Sequence, residues 1–384
     1  MSKIEELVER FNKYPKYLDQ GAGKLANQFE CTKEEVREAK RVVRKGPSFK
    51  EFLRINGISP GQVRKAKLWQ NFKGEQRHSV DINPNAVDTK QLLEDLKTEL
   101  LKEIEPVRLI PSRDAHNRAL FIYTADKHVG AKTSERSIYK NEYNEEVFEQ
   151  RMFKILEEVE LLVELYGKFD RIYLVDLGDP LDGYNGQTTR GGHKLPQNMD
   201  NRQQFDTFVK VHKKWFDSLV QLEAANAIHF IAATEDNHAG AFGYCANRAI
   251  EIYLNVKYPD IKTRIMSKFI EHEIYGEHCL MFCHGKDSED RKHGMPLKLD
   301  LRTESYINDY IDSFNLHGKY NHFIKGDLHQ EANEFGKRFR YKNVLSLYGA
   351  SKWIHNNFGS NKSGICLEVL EKNSSKLHQH SIVF

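Results

Sequence analysis

Thr124-Ala125-Asp126-Lys127-His128-Val129-Gly130 closes the apolar run Ala119 to Tyr123 and is the first of five small polar islands. The others read Leu177-Gly178-Asp179-Pro180-Leu181-Asp182-Gly183, Asp236-Asn237-His238, Cys283-His284-Gly285 and Lys325-Gly326-Asp327-Leu328-His329. Four directly follow a short apolar, β-branched run, and the fifth follows a shorter apolar stretch. That pattern predicts carboxylates, an amide and imidazoles at the carboxyl ends of strands, where open α/β sheets bind ligands. Oxygen and imidazole-nitrogen donors in this mixture suit hard and borderline divalent metals.

The spaces between the islands set the fold class. Residues 119–124, 171–175 and 227–233 read as buried strands, and residues 144–166 and 201–222 have helical spacing. This alternation implies parallel strands joined by helical crossovers. After Thr263 the chain turns to short strands, expected at 269–275, 279–283, 344–347, 365–370 and 380–384, with one helical segment at about 298–312.

Taken in order, the islands resemble the five signatures of the calcineurin-like metallophosphoesterases: D-x-H, G-D-x-x-D, G-N-H-[DE], H-G and G-H-x-H. Any one of them is weak, but five in this order, each after a strand-like run, are specific. The resemblance covers roughly the last two thirds of the chain, from about Arg118. It implies an α/β fold, the four-layer α-β-β-α metallophosphoesterase sandwich, preceded here by a small all-α region. It also implies two divalent ions. By motif position Asp126, His128 and His329 would hold one, Asn237 and His284 the other, and Asp179 would bridge them. His238 matches the histidine that protonates the leaving oxygen.

This chain departs from the signatures at two motifs. The third reads Asp236-Asn237-His238-Ala239, without the leading glycine and trailing acid. The fifth carries Asp327 where a metal-binding histidine is usual. Aspartate still ligates, and the extra oxygen favours Mn²⁺ or Mg²⁺, with Fe²⁺ and Zn²⁺ also compatible. Lys127, between two ligands, either points its charge toward a phosphate or lies outward on the loop. The glycine-rich loop 183–194 offers Arg190, His193 and Lys194 as phosphate contacts, with an ordinary surface loop as the competing reading.

The front of the chain has a different character. Net charge is +3 overall, yet residues 1–80 hold 18 Lys/Arg against 10 Asp/Glu. A basic front suits a polyanion. Helical spacing at Ile4, Leu7, Val8 and Phe11, a short helix near 22–29 and a third helix opened by Thr32 with Glu35 as capping box resemble a helix-turn-helix. Lys33, Arg37, Lys40 and Arg44 form its basic face. A second helical pair is expected from Ser48 and from Ser59-Pro60-Gly61-Gln62, the latter rich in Lys and Arg with Trp69 and Phe72. The domain scheme is therefore 1–80 basic helical region, 81–117 linker and amphipathic helix, and 118–384 catalytic domain. The stripe Leu92, Leu93, Leu96, Leu100 and Ile104 must be buried, either on the catalytic domain or in a homodimer.

Composition fits a soluble protein: 39% hydrophobic residues and no apolar run long enough to span a membrane. Five cysteines without a C-x-x-C pair, and a start without a signal-peptide core, predict free thiols and a cytoplasmic location. Asp126-Lys127-His128-Val129-Gly130 is similar to the D-x-H-h-G form of the double-strand-break-repair nucleases. That implies DNA as partner and an ATPase supplied in trans, since no G-x-x-x-x-G-K-[ST] loop is present. A phosphatase or phosphodiesterase acting on a protein or small molecule is the alternative, and a non-enzymatic DNA-binding protein is the third reading.

Overall fold

The computed structural model describes residues 3–45, 52–53, 63–70, 76–82, 104–109, 111, 116–133, 141–234, 236–287, 294–351, 354–356 and 362–384. The chain forms two compact units, Met1–Leu92 and Leu93–Phe384.

In the first unit, α1 (Lys3–Lys13) is followed by a 3-10 turn (Pro15–Asp19), α2 (Ala22–Gln28) and α3 (Lys33–Lys45). Leu7, Phe11, Leu25, Ala26, Val36 and Ala39 make their common core. Thr32 and Glu35 form the expected capping box: each main-chain amide donates to the other's side chain, at 2.8 and 3.1 Å. Beyond α3 the structure corrects the sequence reading. Residues expected to be helical after Ser59 instead form β1 (Val63–Gln70), paired antiparallel with β2 (Gln76–Ile82), so the region is not all-α. Lys and Arg suit a helix, but the sheet forms through the partner strand, whose alternating His78, Val80 and Ile82 lay in a stretch not read as structured. Phe52 and Leu53 are helical; the rest of the segment expected from Ser48 lies outside the described residues.

The second unit holds two sheets. Six strands run in the order β13-β12-β3-β4-β5-β6, where β3 (His116–Thr124), β4 (Phe169–Asp176), β5 (Ala225–Ala232) and β6 (Lys262–Ile265) are parallel. The antiparallel members are β12 (Gly364–Glu371) and β13 (Leu377–Val383). Five strands make the second sheet, in the order β10-β11-β9-β8-β7: β7 (Glu271–Tyr275), β8 (His278–Cys283), β9 (Tyr320–Lys325), β10 (Ala332–Phe335) and β11 (Phe339–Asn343).

Three apolar layers hold these sheets together. Phe121, Tyr123, Tyr173, Val175, Leu280, Phe282 and Ile324 interleave between the sheets. The outer face of the first sheet is covered by α4 (Glu145–Tyr166), α5 (Asn201–Gln221) and α6 (Ala241–Lys257), through residues such as Met152, Trp215 and Ile250. On the outer face of the second sheet, Met281 and Phe323 meet Ile307 and Ile311 of α7 (Leu301–Ser313). The result is an α-β-β-α sandwich.

Two details differ from the sequence reading. Residues 344–347 are not a strand; the strand ends at Asn343, and the segment after it serves the site. Helix α6 had no sequence forecast. It buries the apolar face Phe242, Cys245, Ala246, Ala249, Ile250, Tyr253 and Leu254 and, beside it, Gly243, Asn247 and Glu251, so burial extends past the apolar stripe. Of the apolar stripe, Ile104 packs against the main core, while Leu92, Leu93, Leu96 and Leu100 lie outside the described residues. The five cysteines are free, and among the described residues no helix is long and apolar enough to cross a membrane.

Candidate metal centre

Each island begins where a strand stops. The strands β3, β4, β5, β8 and β9 end at Thr124, Asp176, Ala232, Cys283 and Lys325, and their following loops converge on one end of the sandwich. The loops bend sharply to do so. Asp126, His128, Asp179, Asp327 and His329 all take left-handed backbone angles, with φ between 42° and 76°. Only four other non-glycine residues do so among those described. Side chains other than glycine avoid this region, so the surrounding hydrogen bonds must hold them there. Those bonds are present: Asp126 N donates to Gly178 O and His128 N to Asp179 O, both at 3.0 Å.

The side chains meet in three groups. Asp126, His128 and His329 form one; His128 Nε2 and His329 Nε2 lie 3.2 Å apart, and His329 Nε2 is 3.4 Å from Asp126 Oδ1. Asp126, Asp179 and His284 form the second, with His284 Nε2 3.2 Å from Asp179 Oδ2 and 3.0 Å from Asn237 Oδ1. Asp179 Oδ2 also approaches His128 Nε2 at 3.7 Å, which puts it between the two groups. The third joins His128, Asp182 and His238.

Metal donors of the right kind face one another here. His284 Nδ1 donates to Leu177 O and His329 Nδ1 to Gly349 O, while His128 Nδ1 lies 3.2 Å from Asp182 Oδ1. His284 and His329 are thus oriented through Nδ1 and present Nε2 to the centre, as in metal-binding histidines generally, while His128 Nδ1 approaches Asp182 without a hydrogen bond. Asp126 Oδ1 is buried and has no hydrogen-bond partner among the described residues. An orphaned carboxylate oxygen facing two imidazole nitrogens fits a divalent cation.

Electrostatics points the same way. Burial opposes charge on His284 and His329, yet neighbouring Asp179 and Asp126 outweigh it and lift both imidazoles above their ordinary pKa. Burial, with His238, His329 and His284 nearby, holds His128 well below its own. Burial, then Asp179, pushes Asp182 well up and Asp236 to about 7. So many acids crowded out of solvent call for a compensating cation.

The motif departures have local explanations. Asp236, in place of glycine, accepts hydrogen bonds from Ala239 N and Gly240 N at 2.7 and 2.9 Å, closing the turn that carries Asn237 and His238. Ala239 is wholly buried in the main core, so an acid there would be desolvated. Asp182, the closing acid of the second motif, comes within 3.9 Å of His238 Nδ1. Asp327 donates its amide to Asp126 Oδ2 at 3.1 Å, and its carboxylate belongs to none of the three groups. Lys127 is neither outward nor aimed at the centre: it is completely buried, 2.8 Å from Asp176 Oδ1.

In the neighbouring loop, Arg190 reaches Asp287 at 3.1 Å, while His193 and Lys194 are exposed. On α3, Lys33 and Arg37 are exposed, the latter 3.3 Å from Glu34. Lys40 turns inward to donate to Leu18 O and Gln20 O, which removes it from the basic face; the Arg44 side chain lies outside the described residues.

The sequence reading missed residues 346–350. Ser346 Oγ donates to Asp126 O at 2.9 Å, Tyr348 packs its ring 5.5 Å from His128, and Gly349 O orients His329. Its sequence signal is Ser-Leu-Tyr-Gly-Ala-Ser, small and polar residues directly after an apolar run. Arg151 and Asn141 clamp this loop through the carbonyls of Leu347, Tyr348 and Ala350.

No family model matches this chain. A curated relative is the SPbeta prophage-derived uncharacterized protein YonJ of Bacillus subtilis (strain 168), 21% identical over 352 residues, or 85% of this chain and 81% of that one. Among solved structures, Vps29 of Entamoeba histolytica complexed with Zn²⁺ aligns over 69% of this chain and 98% of its own, at 10% identity and a TM-score of 0.30. A novel archaeal phosphodiesterase aligns over 69% and 99%, at 12% identity and a TM-score of 0.31. At such scores the chain's own strand pairing and side-chain geometry remain the basis for its description as an α-β-β-α sandwich with a cation-binding cluster at one end.

Proposed function

We propose that this chain is a dinuclear-metal-dependent phosphodiester hydrolase and that its substrate is DNA. The observation that carries the reading is the convergence of Asp126, His128, Asp179, Asn237, His284 and His329, with Asp179 between two donor groups. Two divalent ions, Mn²⁺ by preference, would supply an activated water and a clamp for a phosphoryl oxygen. Asp126, His128 and His329 would hold one ion and Asn237 and His284 the other. Asp179, whose Oδ2 faces both donor groups while Oδ1 accepts from His238 N, would be shared between them, and Asp327 stands beside Asp126 through its amide with its carboxylate outside the three groups.

The protein's own groups complete the chemistry. Burial pushes His238 down to about 4, so its resting imidazole is neutral. The ring would therefore take its proton from solvent as substrate binds, when the phosphate anion beside it favours the charged form. Asp182, near His238 Nδ1, steadies the ring for transfer to the leaving oxygen. Lys33 and Arg37 on α3 would meet the DNA backbone as phosphate contacts rather than base readers. An ATPase acting in trans belongs to the same reading.

One observation favours the second reading, hydrolysis of a protein or small-molecule phosphoester. Arg37 and Arg41 pair with Glu34 and Glu38, and Lys40 is used internally, so three of the six basic residues of α3 are already engaged within the protein. Incubating metal-stripped protein with Mn²⁺ and either circular or linear DNA, beside an Asp179→Asn control, separates the two. Cleavage by the parent alone supports the nuclease; hydrolysis of a small phosphoester with DNA untouched moves the assignment to the second reading. No hydrolysis of either would defeat both.

A further inference from the structure

Thr189 and Arg190 lie on an excursion closed by pairing of Gln187 with Lys194 and turned at Gly191 and Gly192. None of the five motifs includes them, yet they touch both loops that supply the second metal position. Thr189 N donates to His238 O at 2.9 Å, and Arg190 N to Asn237 O at 3.1 Å. Thr189 Oγ1 donates to the same Asn237 carbonyl at 3.2 Å. From the other end of the residue, Arg190 Nη1 reaches Asp287 O at 2.7 Å and Asp287 Oδ1 at 3.1 Å, three positions beyond His284. Asp287 in turn forms a β-bridge with Asp236, which begins the Asn237-His238 loop.

The fit is close. A Cβ added at Gly240 would meet three Thr189 side-chain atoms at 2.9–3.1 Å, and Gly240 has φ of 51°. The Arg190 side chain is one-fifth exposed and Asp287 about one-tenth, so their ion pair is shielded from solvent compared with an ordinary surface pair. Between the two loops themselves run the His284 Nε2–Asn237 Oδ1 contact at 3.0 Å and the Asp236–Asp287 bridge, whereas Asp126, His128 and His329 adjoin the 346–350 loop and Asp182.

We infer that Thr189 and Arg190, with Asp287, are positioning residues that set the spacing of Asn237 and His284 and thereby the affinity of the second metal position alone. Arg190 then acts as a brace between two ligand loops, not as a phosphate contact. The inference rests on the proposed two-ion centre. Groups that orient metal ligands typically change metal affinity by about 10- to 100-fold when removed.

The test is titration of the metal-stripped full chain with Mn²⁺, read by calorimetry and by the spin-coupled electron paramagnetic resonance signal of an ion pair. The parent should bind two ions. Arg190→Ala and Asp287→Ala should bind the first with parental affinity and the second about 10- to 100-fold more weakly, losing the coupled signal at limiting Mn²⁺. Arg190→Lys, able to put one cationic nitrogen near the Nη1 position, should keep the second ion. Thr189→Val, which removes only the hydroxyl bond to Asn237, should weaken it in the same direction and covers the case of an alanine variant that does not fold. Two ions bound with parental affinities by the folded variants would overturn the inference while leaving the hydrolase reading intact. So would a rise in KM for a phosphoester with metal binding unchanged, which would make Arg190 a substrate contact. A parent chain that binds no second ion would remove the inference and the two-ion function together.

Discussion

Arg340 on β11 and Glu368 on β12 meet between the two sheets in a two-pronged ion pair, 2.7 Å on each arm, with both side chains almost fully buried. Lys342 approaches Glu368 at 3.4 Å, and Arg340 Nε donates to His322, which contacts His278. Replacing Glu368 by Gln leaves two buried cations facing a neutral amide and should cost about 3–5 kcal/mol. Chemical denaturation of the parent and Glu368→Gln measures this. A loss near zero would mean the network contributes nothing net.

The same pair sets an acid limit. Burial alone would raise the Glu368 carboxyl, but Arg340 and Lys342 hold it at about 2, down from 4.5. A depressed folded pKa adds stability above the unfolded value, lost as pH falls from about 4.5 toward 2. Stability of the parent should therefore fall across that window more steeply than that of Glu368→Gln. Parallel pH profiles would contradict the assignment.

Lys127 is predicted to act through folding, not through substrate. Lys127→Met leaves Asp176 buried and unpaired, at a cost of about 3–5 kcal/mol. The melting temperature should drop while KM for a phosphoester stays at the parental value. A raised KM with unchanged melting would return Lys127 to the substrate.

His238→Ala should lower kcat by about 10²–10⁴-fold on a diester with a poor leaving group. On an activated nitrophenyl diester, whose leaving group needs no proton, the loss should be far smaller. Equal losses on both would show that His238 does not protonate the leaving oxygen.

If α3 meets the DNA backbone, Lys33→Glu with Arg37→Glu should weaken binding uniformly across sequences. The slope of log K against log salt should fall by about one for each phosphate contact removed. Fluorescence anisotropy over a salt series measures this, and an unchanged slope would exclude this face.

Much of the fold was legible because strand endings and chemistry coincide. Asp126, Asp179, Asn237 and His284 follow apolar runs directly, so local pattern and site placement agreed. What escaped was set by tertiary context. Helix α6 buries the polar Asn247 and Glu251 beside its apolar stripe, and the β1–β2 pairing depends on a partner that local propensity does not mark. The destination of Lys127 was hidden for a similar reason: a lysine beside two ligands looks functional until its buried partner Asp176, some 50 residues away, is seen. The proximity of Asp182 to His238, 56 positions on in the chain, likewise arises only from folding.

The five left-handed residues give this fold an evolutionary liability. Glycine at position 126, 128, 179, 327 or 329 would relieve roughly 1–2 kcal/mol of backbone strain while deleting a polar side chain from the cluster. A selection that rewarded thermal resistance alone would therefore drift toward inert variants there. In an unselected copy of this gene, those codons are where stability and activity would part company first.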